Sequence, residues 1–200
     1  MEVPENGYPR RGPVVRIPRA TADAWDVARL RLLFVVTLAF AALAAPAGAG
    51  KATPSAQPAL DAQVLAQVNA LRARHGLRPL RLSTRLDAAA SLHSRQMAER
   101  GFFAHESANG GAYWRRIERF YGSKGFGSWT VGENLAWASP SLDARETVRL
   151  WMQSPPHRAT LLNPAWREIG VAAVRSSAAP GVFKGLEVTV VTADFGARAA

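Results

Sequence analysis

Four histidines and one glutamate carry most of the chemistry this chain could perform. His75 stands beside Gly76 at the end of an apolar-periodic segment, where bonding to helix carbonyls is routine. His93 falls on the apolar face of the next periodic segment, a position that suits a hydrogen-bonded core histidine. His105 and His157 differ. Each follows a helix terminator, and each has polar neighbours: Glu106 and Ser107 for one, Ser154 and Arg158 for the other. Rigid scaffolds place functional groups on such loops. Their spacing of about 50 positions matches no short metal motif, so spacing alone leaves a site and a pair of surface histidines both open. Glu133, in Gly132-Glu133-Asn134, follows a short apolar strand. It could orient an imidazole or complete a metal shell, or be a surface glutamate beside a turn.

The elements that must position these groups are legible in outline. Leu60, Val64, Leu65, Val68 and Leu71 recur at helical spacing. Ser83 reads as the N-cap of a second helix carrying Leu86, Ala89, Ala90, His93 and Met97, ended by Gly101. A third, short helix places Trp114, Ile117 and Tyr121 on one side. Ser139-Pro140 reads as the start of a fourth with Val148, Trp151 and Met152, stopped by Pro155-Pro156. His157 to Leu162 allows one more short helix. The pattern then changes to strands, over Ile169–Val174 and Leu186–Ala193, with Val182-Phe183 a candidate start to the second. Helices first and antiparallel strands late read as α+β. Trp114, Trp129, Trp151 and Trp166 are expected to fill the core.

Ahead of this unit, Leu32–Gly50 carries no charge and is strongly apolar as far as Phe40. Arg29 and Arg31 precede it. Ala45-Pro46-Ala47 and Ala47-Gly48-Ala49 fit a small-residue cleavage pattern. Residues 1–49 therefore read as an N-terminal extension and secretory signal segment, and an uncleaved membrane anchor is the rival. The Arg10-Arg11 pair lies too far from the apolar run for a twin-arginine signal. Translation starting near Val27 would account for the unusual length of the extension. Residues 50–58 read as a linker and 59–196 as one domain.

The 200-residue chain has no cysteine, which excludes a disulfide framework, a thiolate zinc site, a cysteine nucleophile and a cysteine-attached lipid. Its formal net charge is +10. Residues 1–49 hold six arginines against four acids, so the later part carries most of the positive charge. Outside a membrane the matching polyanions are wall polymers and anionic headgroups. Arg72, Arg74, Arg78, Arg81 and Arg85, and Arg115, Arg116 and Arg119, read as solvated faces. No helix-turn-helix, finger or aromatic RNA motif accompanies them, so nucleic acid is not expected as a partner.

Several strings in order resemble the CAP superfamily of cysteine-rich secretory, antigen 5 and pathogenesis-related proteins, in its bacterial secreted branch. They are Val68–Arg72 with His75–Leu80, Ala88–Ser94 with Met97-Ala98, Gly101–His105, Trp114–Ile117, Gly132–Ala136, Trp151–Arg158, Leu162–Pro164, Glu168–Val171 and Asp194–Gly196. The resemblance implies a three-layer α-β-α sandwich with a central antiparallel sheet. It implies a cleft of two histidines and two acids, with His105, Glu133 and His157 at three of the places. Ser154 stands where the second acid is expected. Two neutral imidazoles and a carboxylate suit zinc or another divalent metal, held by His105, His157 and Glu133. A lipid, sterol or cell-wall ligand is the implied partner, in a secreted protein. A metal-dependent hydrolase of peptide or wall polymer, with those three residues catalytic, and a non-catalytic surface module are the alternatives.

Overall fold

A computed structural model describes residues 53–200. The signal segment expected over 1–49 lies outside them. Elements run β1 (Ser55–Ala56), α1 (Pro58–Arg74), β2 (Arg81–Leu82), α2 (Thr84–Arg100), α3 (Tyr113–Phe120), β3 (Ser128–Ala138), α4 (Ala144–Gln153), α5 (Pro155–Leu161), β4 (Glu168–Ala179), a 3-10 turn (Gly181–Phe183) and β5 (Leu186–Ala199).

The three long strands form the sheet, in the order β4-β5-β3, antiparallel throughout. β1 adds to the outer edge of β4, pairing Ser55 with Arg175. Those residues, read above as linker, are thus part of the sheet. β2 pairs with β4 in parallel.

Strand alternation sends Ile169, Val171 and Ala173 of β4, and Val191, Ala193 and Phe195 of β5, to one face, where they meet Val64, Val68, Trp151 and Leu161 of α1, α4 and α5. The opposite face carries Val174, Val188 and Val190 against Met97 and Ala98 of α2. α3 packs Ile117 and Tyr121 on Leu86 and Ala89 of α2. The fold is an α+β sandwich with the sheet between two helical layers, as expected.

Local chemistry explains the boundaries. The Ser83 hydroxyl accepts the Leu86 N–H and opens α2, and Gly101 in the left-handed region (φ 72°) closes it. A Cβ on Gly101 would also lie 2.6 Å from the Pro180 backbone. α4 starts later than expected. Asp143, not Ser139, is its cap, accepting the Glu146 N–H at 2.8 Å, and Ser139-Pro140 belongs to the turn after β3. Pro155 stops α4 and occupies the first turn of α5, where its missing N–H costs nothing. Val182-Phe183 forms the 3-10 turn rather than the start of β5.

Three of the four tryptophans contribute as expected. The Trp151 and Trp166 indoles are buried, with Nε1 donating to Leu135 O and Thr160 O at 2.9 Å each. Trp129 is half-buried and donates to Tyr121 O. Trp114 does not; in the first turn of α3 it is 39% exposed, although it shares a helix side with the buried Ile117 and Tyr121. Two arginines read as solvated are buried. Arg72 reaches the carbonyls of Leu161, Asn163 and Arg78, tying α1 to the end of α5. Arg116 belongs to the site.

Candidate functional site

The site forms at β3, the end strand of the sheet. Gly132-Glu133-Asn134 is not a turn after a strand but the middle of β3. Strand alternation then assigns the two polar side chains to opposite faces. Asn134 donates from Nδ2 to the His157 carbonyl at 3.0 Å, on the α5 side. Glu133 points to the α2–α3 side and is buried. Gly132 is required by space, since a Cβ there would lie 2.8 Å from the Trp166 ring.

Glu133 organises its surroundings. Oε1 accepts from His105 Nδ1 at 2.8 Å, and Oε2 pairs with the Arg116 guanidinium. Arg116 also donates to the His105 carbonyl at 3.3 Å and to Ser107 Oγ at 3.2 Å, holding the loop that presents His105. The His157 ring lies 6.4 Å from that of His105, centroid to centroid. The structure therefore brings His105, Glu133 and His157 into one neighbourhood. The His105 side chain is 46% exposed, so the imidazole remains accessible.

Two histidines are structural. His93 is fully buried; its Nε2 donates to Ala104 O at 2.9 Å, and burial with nearby Arg116 lowers its pKa to about 3. His75 caps the C-terminus of α1 through its backbone.

The second carboxylate of the cluster was not among the expected site residues. Asp194 lies on β5 directly opposite Glu133 in the β3–β5 register, fully buried. Neither of its oxygens meets a donor among the described residues. Burial, and then the neighbouring Glu133, push its pKa well above the ordinary carboxylate value. Burial also raises Glu133, to about 7, against the pull of Arg116. Two buried carboxylates beside one guanidinium carry one net negative charge between them. Contact with Arg116 assigns that charge to Glu133, and Asp194 keeps the proton, which it can donate to Glu133. The sequence signal for Asp194 was a lone acid in the inward phase of a strand, continuing Val188, Val190 and Thr192. For Arg116 it was adjacency to the buried Ile117. Ser154 serves as the backbone joint between α4 and α5 and supplies no acid to the cluster.

The protonation pattern follows. With Glu133 ionised, His105 Nδ1 carries the hydrogen and Nε2 keeps its lone pair. Burial lowers the pKa of both His105 and His157, in the latter reinforced by His105, so both rings are neutral at neutral pH. Both Glu133 oxygens already bond protein donors, so this carboxylate orients an imidazole rather than completing a metal shell. Among the described residues, no three His, Asp or Glu side chains are arranged to hold one metal ion. Two neutral imidazoles, one braced by a carboxylate, are what a divalent ion would meet here.

The fold belongs to a known class. The model of the cysteine-rich secretory protein (CAP) family matches residues 65–195, and the chain belongs to that family. It is 34% identical over 137 residues to the uncharacterized protein YkwD of Bacillus subtilis, covering 66% of this chain and 51% of that protein. It is 32% identical over 119 residues to the uncharacterized membrane protein YlbC of the same organism, covering 60% and 33%. The match thus spans about half, or a third, of these relatives' lengths. Among solved structures it is similar to an extracellular protein containing an SCP domain from Bacillus anthracis (27% identity, TM-score 0.54, 70% of this chain and 40% of that one). An outer surface protein of Borrelia burgdorferi shares the fold (20% identity, TM-score 0.60, 74% and 98%). Among the described residues no helix is long and apolar enough to cross a membrane.

Proposed function

We propose that this is an extracellular binding protein whose cleft takes a divalent metal ion, such as zinc, on His105 and His157. The observation that carries the reading is the 2.8 Å bond from His105 Nδ1 to Glu133, which fixes the tautomer and leaves Nε2 as a ligand beside His157. A carboxylate behind a ligating histidine raises its basicity and holds its orientation. Arg116 and the protonated Asp194 fix the carboxylate in turn. A bound ion would supply Lewis acidity at the cleft mouth. The extracellular setting is supported by the apolar segment before the domain and by the described location of the similar B. anthracis protein.

Binding fits the residues better than efficient catalysis. Ser154 brings no second acid to the cleft mouth, and the buried Asp194 is neutral. The second reading, a hydrolase, is favoured by one feature: a neutral His105 with its Nε2 free is also an oriented general base.

Isothermal titration of zinc into the purified protein, and into its His105→Ala and His157→Ala variants, tests the proposal. Loss of at least tenfold affinity in each variant supports it. Equal affinity in all three removes the site. Turnover of peptide or wall polymer that is lost in His105→Ala would favour the hydrolase.

A further inference from the structure

A cavity of about 340 Å³ is lined by α2, α3 and the loop between them. That is at the small end of ligand sites, which run to about 300–1,000 Å³. Arg100, Arg115, Arg116 and Arg119 line it together with Gln96 and Asn109, and no acidic residue does. Arg116 is committed to Glu133, the His105 carbonyl and Ser107. The other three have no ion-pair or hydrogen-bond partner among the described residues. Where carboxylates stand nearby, exposed arginines of this fold do pair, as Arg149 does with Glu146 and Arg175 with Glu187; the groove offers none. Arg115 is also held against the exposed Trp114 ring, 5.2 Å from its centroid, which orders the side chain in advance of any ligand.

We propose that this groove binds the phosphate groups of a phosphodiester polyanion. Four guanidiniums line one groove with no carboxylate among them, and the positive potential they set up there favours an anion. Guanidinium forks bind phosphate oxygens bidentately, and the amides of Gln96 and Asn109 supply further donors. Arg115 and Arg119 stand one turn apart on α3, and Arg100 faces them from α2, so an oxyanion between them is approached from both helices. The proposal stands independently of the imidazole pair.

The test is calorimetric titration with a soluble oligomer of glycerol phosphodiester, with phosphatidylglycerol/phosphatidylcholine vesicles and with poly-glutamate. The proteins are the wild type, Arg115→Ala/Arg119→Ala, and a control pair of exposed arginines, Arg74→Ala/Arg78→Ala. Binding of the oligomer or of the vesicles, weakened at least tenfold in the groove variant and less than twofold in the control, supports the proposal. Oligomer binding would identify a free polymer as the source, and vesicle binding alone a lipid headgroup. No binding, equal loss in both variants, or poly-glutamate binding as tightly as the phosphodiester would overturn it. Zinc affinity is expected to stay unchanged in the groove variant.

Discussion

Glu133 and Asp194 face each other across the β3–β5 ladder, both buried, with Arg116 on Glu133 and no donor on Asp194. Burial raises the pKa of both carboxylates, in Asp194 reinforced by Glu133, and Arg116 favours the charge on Glu133, behind the His105 imidazole. The consequences are measurable.

Asp194→Asn is expected to stabilise the protein at alkaline pH. The native pKa of Asp194 is raised, so the folded state binds its proton more tightly than the unfolded state. Its stabilising effect is complete below the unfolded value and is lost as pH rises through the folded one. Asparagine keeps the shape and the donor without the titration. Thermal melting at pH 4 and pH 8 should show an advantage that grows with pH, at about 2–4 °C per kcal/mol. A disadvantage at pH 8 would contradict protonation of Asp194.

Glu133→Gln and Asp194→Asn should be non-additive. With Glu133 gone, Asp194 can ionise and serve Arg116. With both gone, the guanidinium is buried without a counter-charge, which costs about 3–5 kcal/mol. Urea unfolding of the two single variants and the double should show a double loss larger than the sum. Simple additivity would mean that Asp194 does not take over the charge.

His93 should remain neutral through mild acid. Its pKa is lowered to about 3 by burial and by Arg116. The associated stability is complete above the unfolded value of 6.5 and declines as pH falls towards 3. Nitrogen chemical shifts of the folded protein at pH 5 should show one protonated ring nitrogen, Nε2. A doubly protonated His93 at that pH would be the opposite result.

Gly170→Ala should prevent stable folding, because its Cβ would lie 2.0 Å from the Asp87 backbone nitrogen where α2 crosses β4. Gly125→Ala meets open space and bears only the strain of φ +87°, about 1–2 kcal/mol. Comparable melting temperatures for the two variants would deny the close helix–sheet approach.

Much of this architecture was legible in the residues. The spacing of Val64, Val68 and Leu71, the Ser83 cap and the Gly101 stop marked α1 and α2 because local periodicity and capping decide helices. The strands were read short. Gly132 and Asn134 have the local look of turn residues beside Glu133, and only sheet partners show that β3 continues through all three. The same limit hid Asp194, whose role exists only because strand pairing sets it against Glu133 from 61 positions away. Arg72 and Arg116 looked solvated because nothing local reveals a buried carbonyl or carboxylate waiting for them. His105 and His157 could be matched by resemblance, but their approach depends on a loop and a short helix meeting at one strand.

In the proposed binding mode, zinc takes its nitrogen ligands from His105 and His157. Zinc-edge X-ray absorption on the loaded protein reads this directly. The expected spectrum shows two imidazole nitrogens, falling to one in His157→Ala, with the Glu133→Gln variant keeping both but binding more weakly. A wild-type spectrum with no imidazole contribution, or one unchanged in His105→Ala/His157→Ala, would contradict it.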